Sequence, residues 1–483
     1  MAALSLAGPA VRELLAGWLP GQRWWPAKGR AVALEPVGRL PLPPAEAEAE
    51  VEIEVLFLAT GAPPGQVVQV PLTSRPAPQP ELAGALVGRL GDAPDGVRWI
   101  YDGAHDPTFV AAWVRLLAEQ QEIRWNRVMA RGVRRREGHG AAAGAAGAAG
   151  RPSRVLQGEQ SNTSIILDTD GGDAVIVKLF RVLRPGENPD VAVTVALAAG
   201  GCDRVPRPLG WVEGGWPDPA GDTVLRGHLA YACEFLTGSE DGWRVASRAV
   251  ATGASFAAEA AGIGTATAEV HATLAAVLPT VPTSRTRLRT LADQLSGRLR
   301  WAVSTTPKLT ELQPAAEALF ARVRHLPADP ARTPVWQRIH GDYHLGQVLH
   351  SPVRGWVLID FEGEPLTPLA ERSRPELALR DVAGMLRSFD YAAQHQTDDL
   401  PRGDPAVAAA REWARECRTE FLRAYRAVAH AAGGPPEQWE NVLLRAFEVD
   451  KALYEVVYET WNRPHWVARP LEALRRLLAD PST

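Results

Sequence analysis

The segment "RIHGDYHLGQVLHSPVRGWVLIDFEGEP", Arg338 to Pro365, sets four acidic residues and three histidines among apolar runs of the kind found in sheets. Carboxylates are rarely buried unless they are paired or bind a cation. Any fold for this chain must therefore satisfy Asp342, in a glycine-containing turn, and Asp360, at the end of "WVLID". Gly341 and Gly346 argue against a helix here and for a loop with two short strands. The four-residue spacing of His340 and His344 is then no helical metal pair.

At 483 residues the chain exceeds the size of one growing core, so two or three structural units are expected. The first hundred residues alternate short strand-like runs with Pro/Gly turns ("ALEPVGRLPL", "AEVEIEVLFLA", "GQVVQVPLT", "GVRWIYDG"), which predicts a small, mostly antiparallel cap. Residues 106–123 read as a helix. The Gly/Ala-rich segment around residues 134–153 can bury too little to offset its ordering entropy and reads as a flexible loop. Two strand-like runs, "RVLQGEQSNTSIILDT" and "DAVIVKLFRVL", then precede a helix in "PDVAVTVALAAGG" and a further strand in "GHLAYACEFLTG". From Trp243 onward the apolar spacing is mainly helical. The expected organisation is α+β: a β-rich cap over 1–133, the loop over 134–153, an intermediate lobe over 154–240 and a helical lobe over 241–483.

A net charge of −4 leaves no electrostatic footprint for nucleic acid or an anionic membrane. No apolar run reaches the length of a membrane span. The N-terminal residues lack the basic and apolar regions of a signal peptide. Cys202, Cys233 and Cys417 are far apart and without metal-ligand spacing, as expected of reduced thiols in a cytoplasmic protein. A monomer or small homo-oligomer is expected.

The acidic segment has the parts that phosphoryl transfer from ATP requires: a carboxylate for the acceptor hydroxyl, a carboxylate and an amide for Mg²⁺, a lysine for the phosphates and a lid. Asp342 lies five residues before Gln347, so the carboxylate can face an acceptor, together with His344, while the amide oxygen turns to a metal. Asp360, eighteen residues after Asp342, ends an apolar strand where a hard cation would neutralise it, and Glu362 is a second ligand or an orienting group. Lys178 in "AVIVKLF" is an ammonium among apolar neighbours, which calls for an anionic partner. Ser161, Asn162 and Thr163 lie where strands turn and backbone N–H groups can cap phosphates.

These motifs, with "GENPD", "RDVAGMLRSFDYAA" and "DKALYEVVYETWNRP", resemble the actinobacterial maltokinases and their glucosamine-kinase relatives. That family has a bilobal protein-kinase-like fold of the aminoglycoside-phosphotransferase type with an added N-terminal cap. The resemblance runs from about Arg154 to the C-terminus, and less specifically through "GQRWWPAKGR". It implies Asp342 as catalytic base, Gln347 and Asp360 as Mg²⁺ ligands, and Lys178 on the α- and β-phosphates of ATP. It further implies Glu234, Phe235 and Leu236 as the adenine hinge, and the helix from Tyr454 to Trp461 as a wall of the sugar site. Two departures stand out. Relatives read "NPDxE" after the lysine, where this chain has Ala192, so Asp190 or Glu159 must partner Lys178 instead. Near the end, Trp461 replaces a polar or basic residue and an "LPIP" stretch is lost.

The second departure bears on the acceptor. A protonated aminosugar gains from carboxylates beside an aromatic platform. Tyr454 and Tyr458, and Glu455 and Glu459, are neighbours at i, i+4 on one helix, followed by Trp461. This predicts a kinase converting glucosamine to glucosamine 6-phosphate ahead of one converting maltose to maltose 1-phosphate. An aminoglycoside-type phosphotransferase and a non-catalytic nucleotide-binding module are the other readings. Arg380 and Asp381 are expected to orient the catalytic loop.

Overall fold

The computed structural model describes the chain apart from residues 1–5, 7, 27–32, 46–47, 62–64, 92–95, 136–151, 157–161, 169–173, 329–332, 365–368, 398–399, 402, 432–436, 463–465 and 480–483. Most of the Gly/Ala-rich segment, Glu159 and Ser161 therefore lie outside the described residues. The chain divides into two compact units, Met1–Ala192 with Pro206–Thr237, and Val193–Val205 with Gly238–Thr483.

The first unit holds two antiparallel sheets. In one, β1 (Leu34–Leu42), β2 (Glu52–Thr60), β3 (Val67–Arg75), β4 (Leu86–Leu90) and β5 (Arg98–Asp102) run in the order β1-β2-β3-β5-β4. Strand β2 reads "EIEVLFLAT" with little alternation because both its faces are covered. Leu56 and Leu58 pack with Val11 and Leu15 of α1 (Pro9–Trp18), whereas Val55 and Phe57 join the core beneath the second sheet.

The helix expected over 106–123 is shorter. It is α2 (Pro107–Ala118), capped by the Asp106 carboxylate, which accepts from Thr108 N–H. Gln120 then takes a left-handed conformation (φ 53°) and the chain turns into β6 (Glu122–Trp125) and β7 (Val128–Arg134). Both belong to the second sheet, with β8 (Ser153–Val155), β9 (Asn162–Leu167), β10 (Val175–Phe180), β12 (Pro208–Pro217) and β13 (Val224–Glu234) in the order β6-β7-β12-β13-β10-β9-β8. The short β11 (Val182–Leu183) pairs with β3. Helix α3 (Pro189–Ala199) follows β11.

The second unit is mainly helical: α4 (Gly242–Thr252), α5 (Ala257–Val277), α6 (Arg285–Thr305), α7 (Gln313–Arg324), α8 (Leu379–His395), α9 (Pro405–Ala431), α10 (Glu437–Asn462) and α11 (Ala468–Ala479). Helix α5, rich in Ala and Gly, packs closely on α9. A Cβ at Gly264 would sit 2.3 Å from the Phe421 carbonyl oxygen, so only glycine permits the approach. Two small strand pairings frame the acidic segment: β15 (Trp336–Gln337) with β18 (Glu376–Leu377), and the hairpin of β16 (Val348–Ser351) and β17 (Gly355–Leu358), extended by β14 (Glu240–Asp241). Among the described residues no helix is long and apolar enough to cross a membrane.

Candidate active site

In the first unit Lys178 sits mid-strand on β10, opposite Ser164 on one side and Tyr231 on the other. Its Nζ lies 2.9 Å from Asp190 Oδ2, and both side chains are nearly buried. Asp190 is in the first turn of α3, and its N–H donates to Asn188 Oδ1 at 2.8 Å. Of the two partners left open by the loss of a glutamate at Ala192, Asp190 supplies a carboxylate from the same first turn of α3.

Asn162 begins β9 opposite Phe180. Thr163 is buried, and its hydroxyl accepts from Arg181 Nε at 2.8 Å. That side chain therefore supports a sealed ion pair, whereas the expectation beside phosphates concerned the backbone N–H groups. At the end of β13, Glu234 N–H donates to Arg207 O and Phe235 N–H to Ala174 O. Leu236 N–H makes no hydrogen bond among the described residues.

In the second unit the loop after β15 is held from behind by Asp381 on α8. Its Oδ2 accepts from His340 N–H (2.7 Å) and from His271 Nε2 (3.1 Å), and its Oδ1 accepts from Gly341 N–H (2.9 Å). Burial works to raise the Asp381 pKa, but these donors outweigh it and hold the carboxyl below its usual range. Asp381 thus has the expected orienting position. Arg380 instead reaches Asp450 (3.2 Å), which also takes Arg298 Nη2 at 2.6 Å, so Asp450 is paired with two arginines.

His340 Nε2 lies 2.8 Å from the Ile359 carbonyl and its Nδ1 3.4 Å from Asp342 N, so a proton on Nε2 fits both contacts. This ring ties the Asp342 turn to the strand end that carries Asp360. Gly341 (φ 86°) makes the turn. His344 Nδ1 accepts from Gly346 N–H at 3.0 Å and caps the short turn Leu345–Gln347. Ile359 N–H then donates to Gln347 O. The outcome is a Gln347 carboxamide 3.3 Å from Asp360 Oδ2. Asp360 has φ 65°, a left-handed conformation uncommon outside glycine and a recurrent mark of functional turns.

Asp342 is partly open, with Oδ1 3.9 Å from Lys451 Nζ on α10; the same ammonium is 3.1 Å from Glu364 Oε1. Burial disfavours the charged lysine, but Glu364 and Asp342 outweigh it and hold its pKa above the ordinary value. Beside this loop lies a cavity of about 310 Å³ lined by His344, Trp243, Tyr391, Arg387, Lys451 and Glu455 among others. Glu455 is 2.7 Å from Arg387 Nη2. Glu459 is buried and accepts from the Tyr391 hydroxyl at 2.7 Å, so it positions a wall residue.

Tyr454 and Tyr458 stack 6.3 Å apart on the neighbouring stripe of α10. Trp461 is 62% exposed, edge-on to Trp301, and is not part of the cavity lining. The helical phase explains the difference: 451, 455 and 459 share one face, whereas 454, 458 and 461 lie about a quarter turn away.

The donor set of Gln347 and Asp360 is oxygen-based once the carboxamide is turned, and the two ends of an amide are exchanged by simple rotation. Among the described residues no group of three or more His, Cys, Asp or Glu could cage a metal. Few protein ligands, all hard oxygens, suit Mg²⁺, which takes its remaining ligands from phosphates and water.

Residues 18–106 match the maltokinase N-terminal cap domain, and residues 153–432 match the phosphotransferase enzyme family. The chain belongs to the phosphotransferase enzyme family. Its relatives include a glucosamine kinase of Streptacidiphilus jiangxiensis, 31% identical over 340 residues that cover 67% of this chain and 72% of that protein. A glucosamine kinase of Mycolicibacterium smegmatis is 30% identical over 345 residues, 68% of this chain and 80% of the relative. A solved glucosamine kinase in complex with glucosamine, ADP and inorganic phosphate superposes with a TM-score of 0.62 over 97% of this chain and 99% of that one, at 24% identity. Its fold is the protein-kinase-like one expected from the motifs.

The sequence reading missed Lys451 and Glu364, which the structure brings to Asp342. One signal was available: "FEVDKALYEVVYE" puts Lys451, Glu455 and Glu459 on a single helical face. Charges so aligned on a helix with many buried neighbours need partners elsewhere in the fold.

Proposed function

We propose that the protein is an ATP-dependent sugar kinase that converts glucosamine to glucosamine 6-phosphate. Asp342 accepts the proton of the acceptor hydroxyl as its oxygen bonds to the γ-phosphorus and ADP leaves. Lys178, braced by Asp190, holds the inner phosphates, and Leu236 with its neighbours meets the adenine. Gln347 and Asp360 are the residues that would hold Mg²⁺, which when bound offsets the negative charge on the phosphates. Lys451 sets the electrostatics of Asp342 and Glu364.

The observation that carries the choice of acceptor is the cavity of about 310 Å³ lined by Tyr343 and His344, which follow Asp342 in its loop, and by Lys451. It is at the small end of ligand pockets, which suits one sugar ring better than two. Glu455 offers a carboxylate and Tyr391 and Trp243 offer aromatic walls, a combination that favours a ring bearing an ammonium. The two curated relatives named above as glucosamine kinases support the same choice. The maltose reading rests on the cap domain alone, and the non-catalytic reading loses its main support now that Asp190 faces Lys178.

An ATP-consumption screen of the pure protein against glucosamine, maltose, glucose and aminoglycosides tests this. Turnover with glucosamine is expected; turnover with maltose and none with glucosamine rejects the assignment.

A further inference from the structure

A second cavity of the helical unit, about 760 Å³, opens among α8, α9, α10 and α11, and the proposed reaction uses none of it except one shared wall residue. Among the described residues, eight arginines line it against three carboxylates. Even when Glu412, Glu440 and Glu455 are added, which pair with lining arginines from outside, the cations remain in excess. Exposed arginines at a cavity mouth are ordinary solvated surface, but here two lie in the floor. Arg418 is 2.7 Å from Glu448 and 3.4 Å from Asp390, and Arg387, 2% exposed, is 2.9 Å from Asp390. Arg387 Nε is buried without a hydrogen-bond partner among the described residues. That Nε is closed off from the cavity, but a cavity whose described lining carries more guanidinium than carboxylate suits a ligand that brings several anionic oxygens.

Arg387 also lines the cavity beside the Asp342 loop, where its Nη2 holds Glu455. The two cavities thus share one guanidinium.

We propose that the arginine-lined cavity binds a small phosphate monoester, and that the bound anion favours a cationic acceptor in the neighbouring cavity through Arg387. An anion beside Arg387 offsets its charge, so Glu455 presents a fuller negative potential to an ammonium. Such coupling is reciprocal: the acceptor must tighten the anion by the same factor. The coupling rests on the glucosamine reading; the anion site does not.

The test uses the full chain and the double variant Arg415→Glu/Arg476→Glu, whose changes lie on exposed parts of the lining away from the Asp342 loop. Glucosamine 6-phosphate and inorganic phosphate are titrated calorimetrically into each protein, with thermal midpoints to confirm folding. At least one probe is expected to bind the native chain, and to bind the variant about tenfold more weakly, since each reversed arginine removes a charge-assisted contact. Tighter binding of the sugar phosphate assigns it as the ligand; equal binding assigns the phosphate group alone.

In steady-state assays without either probe, kcat and KM should match between the two proteins. The binding probe should lower the glucosamine KM of the native chain about twofold and leave the variant unchanged. Absence of binding by both probes, or equal binding to native and variant chains, overturns the anion site. Binding with no change in KM overturns the coupling. If glucosamine proves not to be an acceptor, the calorimetric arm still decides the anion site, so the two failures are distinguishable.

Discussion

Arg181 and Lys451 each hold carboxylates and each lie over an aromatic ring, Trp24 at 4.6 Å and Tyr454 at 5.5 Å. Arg181, in the first unit, is fully buried, with Asp102 bound through both oxygens (2.9 and 2.7 Å) and Thr163 on its Nε. Lys451, in the second unit, is 32% exposed, stands 3.9 Å from Asp342 and divides its charge between that carboxylate and Glu364. The first arrangement is closed and stabilises one conformation. The second is looser, with all three of its charged groups partly exposed. An unusual charge is thus a sign of function when its partners leave room for another group, and a sign of architecture when they do not.

The sharpest way to break this contrast is Asp342→Asn. With the role of base proposed for it, kcat should fall about 10²- to 10⁴-fold while the thermal midpoint and ATP affinity stay close to native. An unchanged kcat would remove Asp342 from the chemistry.

Asp102→Asn should do the reverse. Leaving Arg181 buried and poorly paired should cost about 3–5 kcal/mol in denaturant unfolding, with specific activity of the folded fraction retained. A loss of activity without a loss of stability would place the sealed pair among functional groups.

Asp190→Asn is intermediate, because Lys178 would keep its place but lose its anionic brace. The KM for ATP should rise about tenfold, equivalent to about 1.4 kcal/mol, and kinetics at varied ATP would reveal it.

The smallest effect concerns His344. Burial is the largest cause holding its imidazole below the ordinary 6.5, with Asp342 acting in the opposite sense. The unfolded chain therefore binds the proton more readily, so this contribution to stability is full above pH 6.5 and is lost as pH falls through that value towards the depressed one. Unfolding titrations at pH 7 and pH 5 should show a shallower loss in His344→Gln than in the native chain. Equal slopes would show that the ring titrates normally.

The legible parts of the site were those written locally. Asp342, Gln347 and Asp360 lie within one loop and hairpin, and Lys178 stood out as a charge on an apolar strand. What escaped depends on pairings between distant segments. Lys451 meets Asp342 across more than a hundred residues, and the aligned charges around Lys451 announce a need for partners without naming Asp342. Strands β6 and β7 carry weak alternation and follow a helix whose end is set by the left-handed Gln120, so they merged with the cap in the sequence while the sheet joins them to β12. Glu459 and Trp461 were grouped as a sugar-facing set from spacing and from the family resemblance, and the phase of α10 separates them.

The backbone at Asp360 dictates how the residue can be probed. Alanine there would remove the carboxylate and also force a methyl-bearing residue into a left-handed twist, at about 1–2 kcal/mol. Asparagine tolerates that twist and keeps the side-chain shape. A scan that truncates every position would mix local distortion with loss of charge at the one place where the two need to be told apart; an amide replacement separates them.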